Sequence, residues 1–318
     1  MHNSSAERAF EIAVVGGGPA GLSAAIWAAR YLHSVVVLDS GDPRNWETRE
    51  ISGYLGLPGI TPGELRARGR DECRALGVEL IDSIVMRADP RGDRGFVLRL
   101  EDGTLVTCQR LLLAIGLRDV WPDVPGVANI YGANAHVCPD CDGYDSRGKK
   151  VVVIGTGRRA VAMALNLTTW TSDVIICTNG REPEMDEPEY CDKLDALNIP
   201  IITEPIARVC DERGRIHCLM MENGMQLDCD KVFFAIGQYP ADDLGVQLGC
   251  ERDDDGQIVV DGHCHTSAVN VYAAGDITPG PQLAITAAAR GATAALSIHK
   301  SLVPEERKLS RRAPALSR

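Results

Sequence analysis

One plan occurs twice in this chain: a short apolar strand, a glycine loop, a helix, a second strand, and later an apolar strand ending Ala-Ile-Gly. In the first copy Glu11–Gly16 is the strand, Gly16-Gly17-Gly18-Pro19-Ala20-Gly21 the loop in a GxGxxG pattern, Leu22–Arg30 the helix, and Ser34–Leu38 the second strand, which ends at Asp39. In the second copy Lys150–Ile154 leads into Gly155-Thr156-Gly157-Arg158-Arg159-Ala160, a GxGxxA loop, and Asp173–Cys177 follows. Leu111–Gly116 and Val232–Gly237 are the matching later strands. Each glycine has a physical reason. The first allows a tight turn, the second lets backbone approach a pyrophosphate, and the third position needs a small residue for close helix–strand packing. The helix that follows presents its first N–H groups to phosphate. Asp39 stands where an acceptor for a ribose hydroxyl belongs. The repeat therefore predicts an α/β chain with two nucleotide-binding units.

The copies differ at the end of the second strand. Asp39 lies 23 residues after Gly16, and Thr178 lies 23 after Gly155. An NAD site calls for a carboxylate there and an NADP site for arginines just beyond. The sequence instead runs Thr178-Asn179-Gly180-Arg181, with Arg158 and Arg159 in the loop as the other cations. NADPH binding by the second unit and a unit that keeps the fold without the cofactor both remain open on the residues.

Between the units lies Cys138-Pro139-Asp140-Cys141-Asp142-Gly143. Two thiols three residues apart can close a small disulfide ring. With eleven cysteines in 318 residues the spacing alone arises roughly 0.4 times by chance, so its position matters more than its pattern. The start of the chain lacks the basic-then-apolar layout of a secretory signal, no run of 18 residues is apolar, and many cysteines without a signal suggest a reducing cytoplasm with mostly free thiols. There a CxxC pair is redox-active or metal-binding rather than structural. A zinc site needs four ligands, and no second CxxC or matched histidine pair is present, so no metal is expected. The net charge of −11 with no basic patch argues against nucleic acid as a partner. Asp142 is placed to shuttle a proton. His136 is read as a packed or solvated histidine, with a base role as the lesser reading.

The remaining segments set the frame. Gly41–Gly63 is loop, Glu64–Leu76 a helix stopped by Gly77, Val78–Ile84 a strand, Gly95–Thr107 a hairpin, and Trp121–Gly126 a proline-bearing linker. His263-Cys264-His265 is expected on a strand, the histidines on one face and the cysteine on the other. Asn270–Asp276 is a buried strand ending Gly275-Asp276, and a helix is expected over 282–300. The tail from Val303, including Arg311 and Arg312, is expected to be polar and poorly ordered.

With Gly16-x-Gly18-x-x-Gly21, Cys138-x-x-Cys141-Asp142-Gly143, Gly155-x-Gly157-x-x-Ala160 and Ala273-Ala-Gly-Asp276 in this order, the chain resembles the low-molecular-weight thioredoxin reductase family over nearly its whole length. The resemblance implies an α/β fold of two Rossmann-like, three-layer ββα nucleotide-binding domains, the second inserted in the first. It implies an FAD-binding domain over 1–120 and 247–318, an inserted nicotinamide-binding-like domain over 121–246 that carries the CxxC, and a cytoplasmic homodimer. FAD would be held by Gly16, Gly18, Pro19, Ala20, Gly21, Asp39, Asn45, Gly275, Asp276 and Gln282. NADPH would be held at Gly155, Gly157 and Ala160. Cys141 would be the thiol nearer the flavin, Cys138 the one that exchanges with a thioredoxin-like partner, and Asp142 the proton carrier. Pro139 and the Thr178-Asn179-Gly180 turn depart from ordinary reductases. They resemble the small-molecule dithiol oxidases of the gliotoxin and holomycin type, which use FAD and oxygen; other relatives take electrons from ferredoxin.

Overall fold

In the computed structural model the described residues are 8–44, 47–185 and 187–309. Asn45 and the Arg311–Arg312 tail lie outside them. The chain opens with β1 (Arg8–Val15), α1 (Pro19–Arg30), β2 (Val35–Asp39), α2 (Pro62–Ala75), β3 (Glu79–Asp82), β4 (Val85–Pro90), β5 (Phe96–Leu100) and β6 (Leu105–Leu113). There follow β7 (Leu117–Asp119), α3 (Val127–Ile130), β8 (Ala135–His136), α4 (Pro139–Asp142), β9 (Val151–Gly155), α5 (Gly157–Leu167), β10 (Val174–Cys177) and α6 (Pro188–Ala196). Then come β11 (Ile201–Ile202), β12 (Ile206–Glu212), β13 (Arg215–Met221), β14 (Gln226–Asp228), β15 (Lys231–Ala235) and β16 (Gln238–Pro240). The chain closes with α7 (Leu244–Gln247), β17 (Val271–Ala273) and α8 (Ala284–Leu302).

Two compact units result, one of 1–41, 66–116 and 242–318, the other of 42–65 and 117–241. In the first, β3-β2-β1-β6 run parallel, β17 adds to the end of β6, and β5 and β4 continue antiparallel. In the second, β11-β10-β9-β15-β8 are all parallel, and β12-β13-β14 form a separate antiparallel meander. The two arrangements are the same plan, and the fold is α/β with two Rossmann-like units. The segment 42–65 is tied into the second unit by ion pairs: the Arg44 guanidinium meets Asp119 at 2.5 and 2.8 Å, and Arg118 meets Asp42 at 2.7 Å.

Burial follows strand parity. In the second unit Val152, Ile154, Val232 and Phe234 pack toward the meander, whereas Val151, Val153, Phe233 and Ala235 pack toward α5 and α6. Fully buried parallel strands are apolar on both faces for this reason, and the three layers of sheet, sheet and helix follow. In the first unit α1 and α8 lie together over the sheet with alanines between them, Ala24, Ala25 and Ala28 on one and Ala287, Ala294 and Ala295 on the other.

Three sequence expectations change. The hairpin strand and the Arg110–Gly116 strand are one continuous β6, because its first half pairs with β5 and its second with β17 while β1 runs beside both. The last helix begins at Ala284 rather than at Gln282, which precedes the N-cap Leu283. His263-Cys264-His265 is not strand but a turn: Cys264 has φ +66 and is buried, and His265 pairs with Asp261 at 2.9 Å. Among the described residues no group of His, Cys, Asp or Glu is placed to hold a metal, and no helix is long and apolar enough to cross a membrane.

Candidate active site

The Cys138–Cys141 pair sits where β8 turns into α4. Cys138 has extended backbone (φ −125, ψ 107), so its side chain points back over the turn, and Pro139 at the first helical position presets the φ that the turn needs. Cys138 Sγ then accepts the Cys141 N–H at 3.2 Å, and Asp142 N–H donates to Cys138 O at 3.1 Å. Gly143 ends the turn where only hydrogen fits: a Cβ there would lie 2.5 Å from both Pro139 O and the Trp170 ring. Both thiols are free and half-buried. A hydrogen bond from the Cys141 thiol, helped by the Cys141 N–H, lowers the Cys138 thiol below its ordinary value against the opposing effect of burial. The same shared hydrogen bond, with burial, raises Cys141. Asp142 and Asp140 oppose ionisation of both. The balance between thiol and thiolate sets reactivity, and of the two it is Cys138 that is held toward the thiolate.

Behind the pair is a buried polar chain that the sequence reading missed in part. His136 is 7 % exposed, with Nδ1 3.0 Å from Asp142 Oδ1 and Nε2 2.9 Å from Lys231 Nζ; Lys231 is 5 % exposed. His136 is thus packed, one of the two readings open from the sequence, and it is bonded at both nitrogens as well. Lys231 carried no signal at all in the sequence, since one lysine before an apolar run is ordinary. The parallel register that sets Phe233 against His136 brings it into reach.

In the first unit Gly16 takes φ +106 with Ala114 O 2.2 Å from where a Cβ would stand, and the Cβ position of Gly18 opens on nothing within 4 Å. Gly18 is the N-cap of α1, Pro19 its first residue, and Ala20 and Gly21 are buried in its first turn. That bare loop end at a helix N-terminus is a cradle that fits a pyrophosphate. Asp39 lies against it, its Oδ2 2.1 Å from a Cβ built on Gly17, and is held by Arg66 and, at 3.3 Å, Arg70 of α2. Gly275 (φ +85) comes to the same place, its would-be Cβ 2.8 Å from that of Ala20. Asp276 follows in a turn whose backbone is pinned by Gln257: Nε2 donates to Asp276 O at 2.7 Å and Thr278 O at 3.1 Å. Gln257, buried and 19 residues away, had no sequence signal. Gln282 is half-buried before α8.

The second loop is built alike but furnished differently. Gly155 ends β9, Gly157 (φ +59) starts α5, and Ala160 is buried. Here, however, Gly157 N–H donates to Pro183 O at 2.8 Å and the Thr156 hydroxyl to Glu184 Oε2 at 3.4 Å. Past β10, Thr178 is 1 % exposed with its hydroxyl on Arg181 O at 2.6 Å, and Asn179 (φ +53) accepts the Ile206 N–H at 2.7 Å. Both polar side chains of that turn hold backbone. Arg158, Arg159 and Arg181 are exposed.

Residues 10–291 match the family model of pyridine nucleotide-disulphide oxidoreductases. The chain belongs to this family. It is 31% identical to thioredoxin reductase tcpT of Claviceps purpurea, over 83% of this chain and 85% of that one. Among solved structures, one from Bacillus anthracis named for thioredoxin reductase TrxB has a TM-score of 0.86 at 30% identity and covers 94% of this chain and 100% of its own. That of HlmI has a TM-score of 0.87 at 33% identity, covering 93% of each. The chain spans about half the length of two other curated relatives: 48% of a probable thioredoxin reductase of Arthroderma benhamiae (28% identical over 59% of this chain) and 58% of an alkyl hydroperoxide reductase protein of Xanthomonas campestris (27% over 94%). Within the family the likeness is to the thioredoxin reductase type.

Proposed function

We propose that this is an FAD-dependent thiol–disulfide oxidoreductase that exchanges two electrons with a thioredoxin-like protein through Cys138 and Cys141. The observation that carries the reading is the poised pair: one thiol lowered by hydrogen bonds from the other, with Asp142 directly after it. FAD belongs to the Gly16–Gly21 cradle with Asp39, Gly275 and Asp276, and Gln282 lies on the approach to α8; when bound, the flavin supplies the electron pair that reopens the Cys138–Cys141 bond. The Cys138 thiolate attacks one sulfur of the partner disulfide and expels the other as thiolate. Cys141, giving its proton to Asp142, then attacks Cys138 Sγ, displaces the second partner sulfur as a thiolate and closes the internal disulfide; Asp142 returns that proton to one partner thiolate and solvent protonates the other. The family likeness extends the proposal to a homodimer, and the acidic, cysteine-rich composition to a cytoplasmic setting.

A second reading runs the electrons the other way: a small-molecule dithiol is oxidised and oxygen is the final acceptor. It is favoured by the second glycine loop, where Pro183 O and the Glu184 carboxylate occupy hydrogen-bond donors that a nucleotide phosphate would use, and by the Thr178–Asn179 turn, whose two polar side chains are taken up by backbone. A donor other than a nicotinamide, ferredoxin included, would serve the reductase direction equally. Parallel anaerobic additions of NADPH, NADH, reduced ferredoxin and a dithiol to the flavin-loaded protein separate these. Bleaching by NADPH within seconds supports the reductase; bleaching by the dithiol alone, reversed by air, supports the oxidase. A Cys138→Ser protein that still turns over a dithiol or disulfide substrate would falsify both.

A further inference from the structure

We propose that Lys231, His136 and Asp142 form a proton relay behind the redox pair, in which Lys231 is a positioning residue that fixes the tautomer of His136 and is the source of the proton that reaches Asp142. The inference rests on the reading of Cys138 and Cys141 as the working pair. Three observations carry it: Nζ to Nε2 at 2.9 Å, Nδ1 to Oδ1 at 3.0 Å, and burial of both Lys231 and His136 beneath a half-exposed Asp142.

The chemistry of the groups decides the direction. A lysine ammonium has three donors and no acceptor. With Lys231 charged, Nε2 must therefore be the acceptor, so the imidazole carries its proton on Nδ1 and donates it to the Asp142 carboxylate. This is the general case in which the partner of one ring nitrogen dictates the state of the other. The line then reads ammonium, neutral imidazole, carboxylate. One proton can leave Nζ for Nε2 while the Nδ1 proton passes to Oδ1. The lysine becomes an amine, the imidazole changes tautomer, the carboxylate becomes an acid, and no electron moves. A buried ammonium and a half-exposed carboxylate are replaced by neutral groups, and the desolvation cost of the buried charge favours the change. The acid form of Asp142 is then available to protonate a departing thiolate in reduction, and its carboxylate to take a thiol proton in oxidation.

The surroundings of Lys231 act on its proton from several sides. Burial lowers it below its ordinary value. Of the charged groups around it, Asp142 and Asp145 favour the ammonium, while Lys149 and Arg49 oppose it. Asp140 and the two thiols act on the far end of the line, and the Phe233 ring, 5.4 Å from the imidazole, closes the side. A solvated surface lysine would meet none of these conditions.

The test uses the flavin-loaded full chain, with its histidines labelled in nitrogen-15, and three proteins: wild type, Lys231→Met and Lys231→Arg. The wild type is expected to show His136 as the Nδ1–H tautomer at pH 7. Lys231→Met removes the donor to Nε2, so this tautomer signature is lost. Stopped-flow thiol–disulfide exchange at pH 7 slows by about 100-fold, the size usual for lost general acid–base help. Lys231→Arg keeps a donor that does not deprotonate, so it keeps the tautomer but not the rate. An Nε2–H tautomer or an imidazolium in the wild type overturns the proposal. So does Lys231→Met with an unchanged nitrogen-15 signature, or with unchanged exchange rates across pH 6 to 9. If exchange is absent from the wild type, the redox reading fails, whereas the tautomer measurement still reports on the relay.

Discussion

Gly291 tests the packing that holds the Gly16–Gly21 cradle, proposed above for FAD, in place. It lies inside α8, where a Cβ would stand 2.0 Å from Ala20 O, 2.8 Å from Ala20 C and 3.0 Å from Ala20 Cα, all of it backbone of the first turn of α1. An alanine at a free helical site would stabilise by about 1 kcal/mol through propensity. Here a normal carbon–oxygen contact of about 3.3 Å requires the helices to separate by roughly 1.3 Å. Overpacking costs about 1–3 kcal/mol, and a clash this deep with backbone falls at about 2–3, so the sign reverses and Gly291→Ala is expected to lose about 1–2 kcal/mol net. At about 2–4 °C per kcal/mol for a chain of this class, the melting temperature falls by roughly 2–8 °C. Ala20 belongs to the Gly16–Gly21 loop, so the displaced α1 also retains less FAD. The assay is differential scanning fluorimetry with the flavin-to-protein absorbance ratio read on the same sample. Gly63→Ala, in the first turn of α2 with nothing within 4 Å of its Cβ position, is the control and gains up to about 0.5 kcal/mol. A Gly291→Ala protein that melts at or above wild type with full flavin content refutes the argument.

Three further outcomes are expected. Iodoacetamide at pH 7 labels Cys138 ahead of Cys108 and Cys229, whose thiols burial pushes up to about 12, leaving about one in 10⁵ ionised; peptide mass mapping that finds the three alike contradicts the assignment of the nucleophile. The Asp242 carboxyl is pushed up to about 6, chiefly by burial. Its native value is raised, so burial costs nothing below about pH 4, opposes folding increasingly up to about pH 6, and is constant above. Asp242→Asn, which can still accept the Leu244 N–H (2.9 Å), therefore stabilises on the order of 2 kcal/mol at pH 7 and little at pH 4; an equal gain at both pH values in urea melts excludes this cause. Asn179→Ala loses the bond to Ile206 and leaves alanine at φ +53, for about 1–3 kcal/mol. Asn179→Gly, which loses only the bond, should fall between it and wild type in the same melts.

The parts of this protein that are legible in the sequence are those set by local geometry. A glycine loop after an apolar strand needs small residues at fixed spacing, so Gly16, Gly18, Gly21, Gly155, Gly157 and the repeated plan could be read directly. The Cys138–Cys141 turn is equally local: Pro139 presets it and Gly143 ends it. What only the tertiary structure decided are pairings between residues far apart in the chain. Parallel register places Lys231 on His136 across 95 residues, Arg66 and Arg70 reach Asp39 from another element, and Gln257 pins the Asp276 turn. The second glycine loop has the residues for a nucleotide, yet the chain at Pro183 and Glu184 folds back to occupy its donors. Spacing specifies a turn because few backbone angles satisfy it. Which buried charge meets which depends on strand order and register, and those come from packing of the whole sheet rather than from neighbours in sequence.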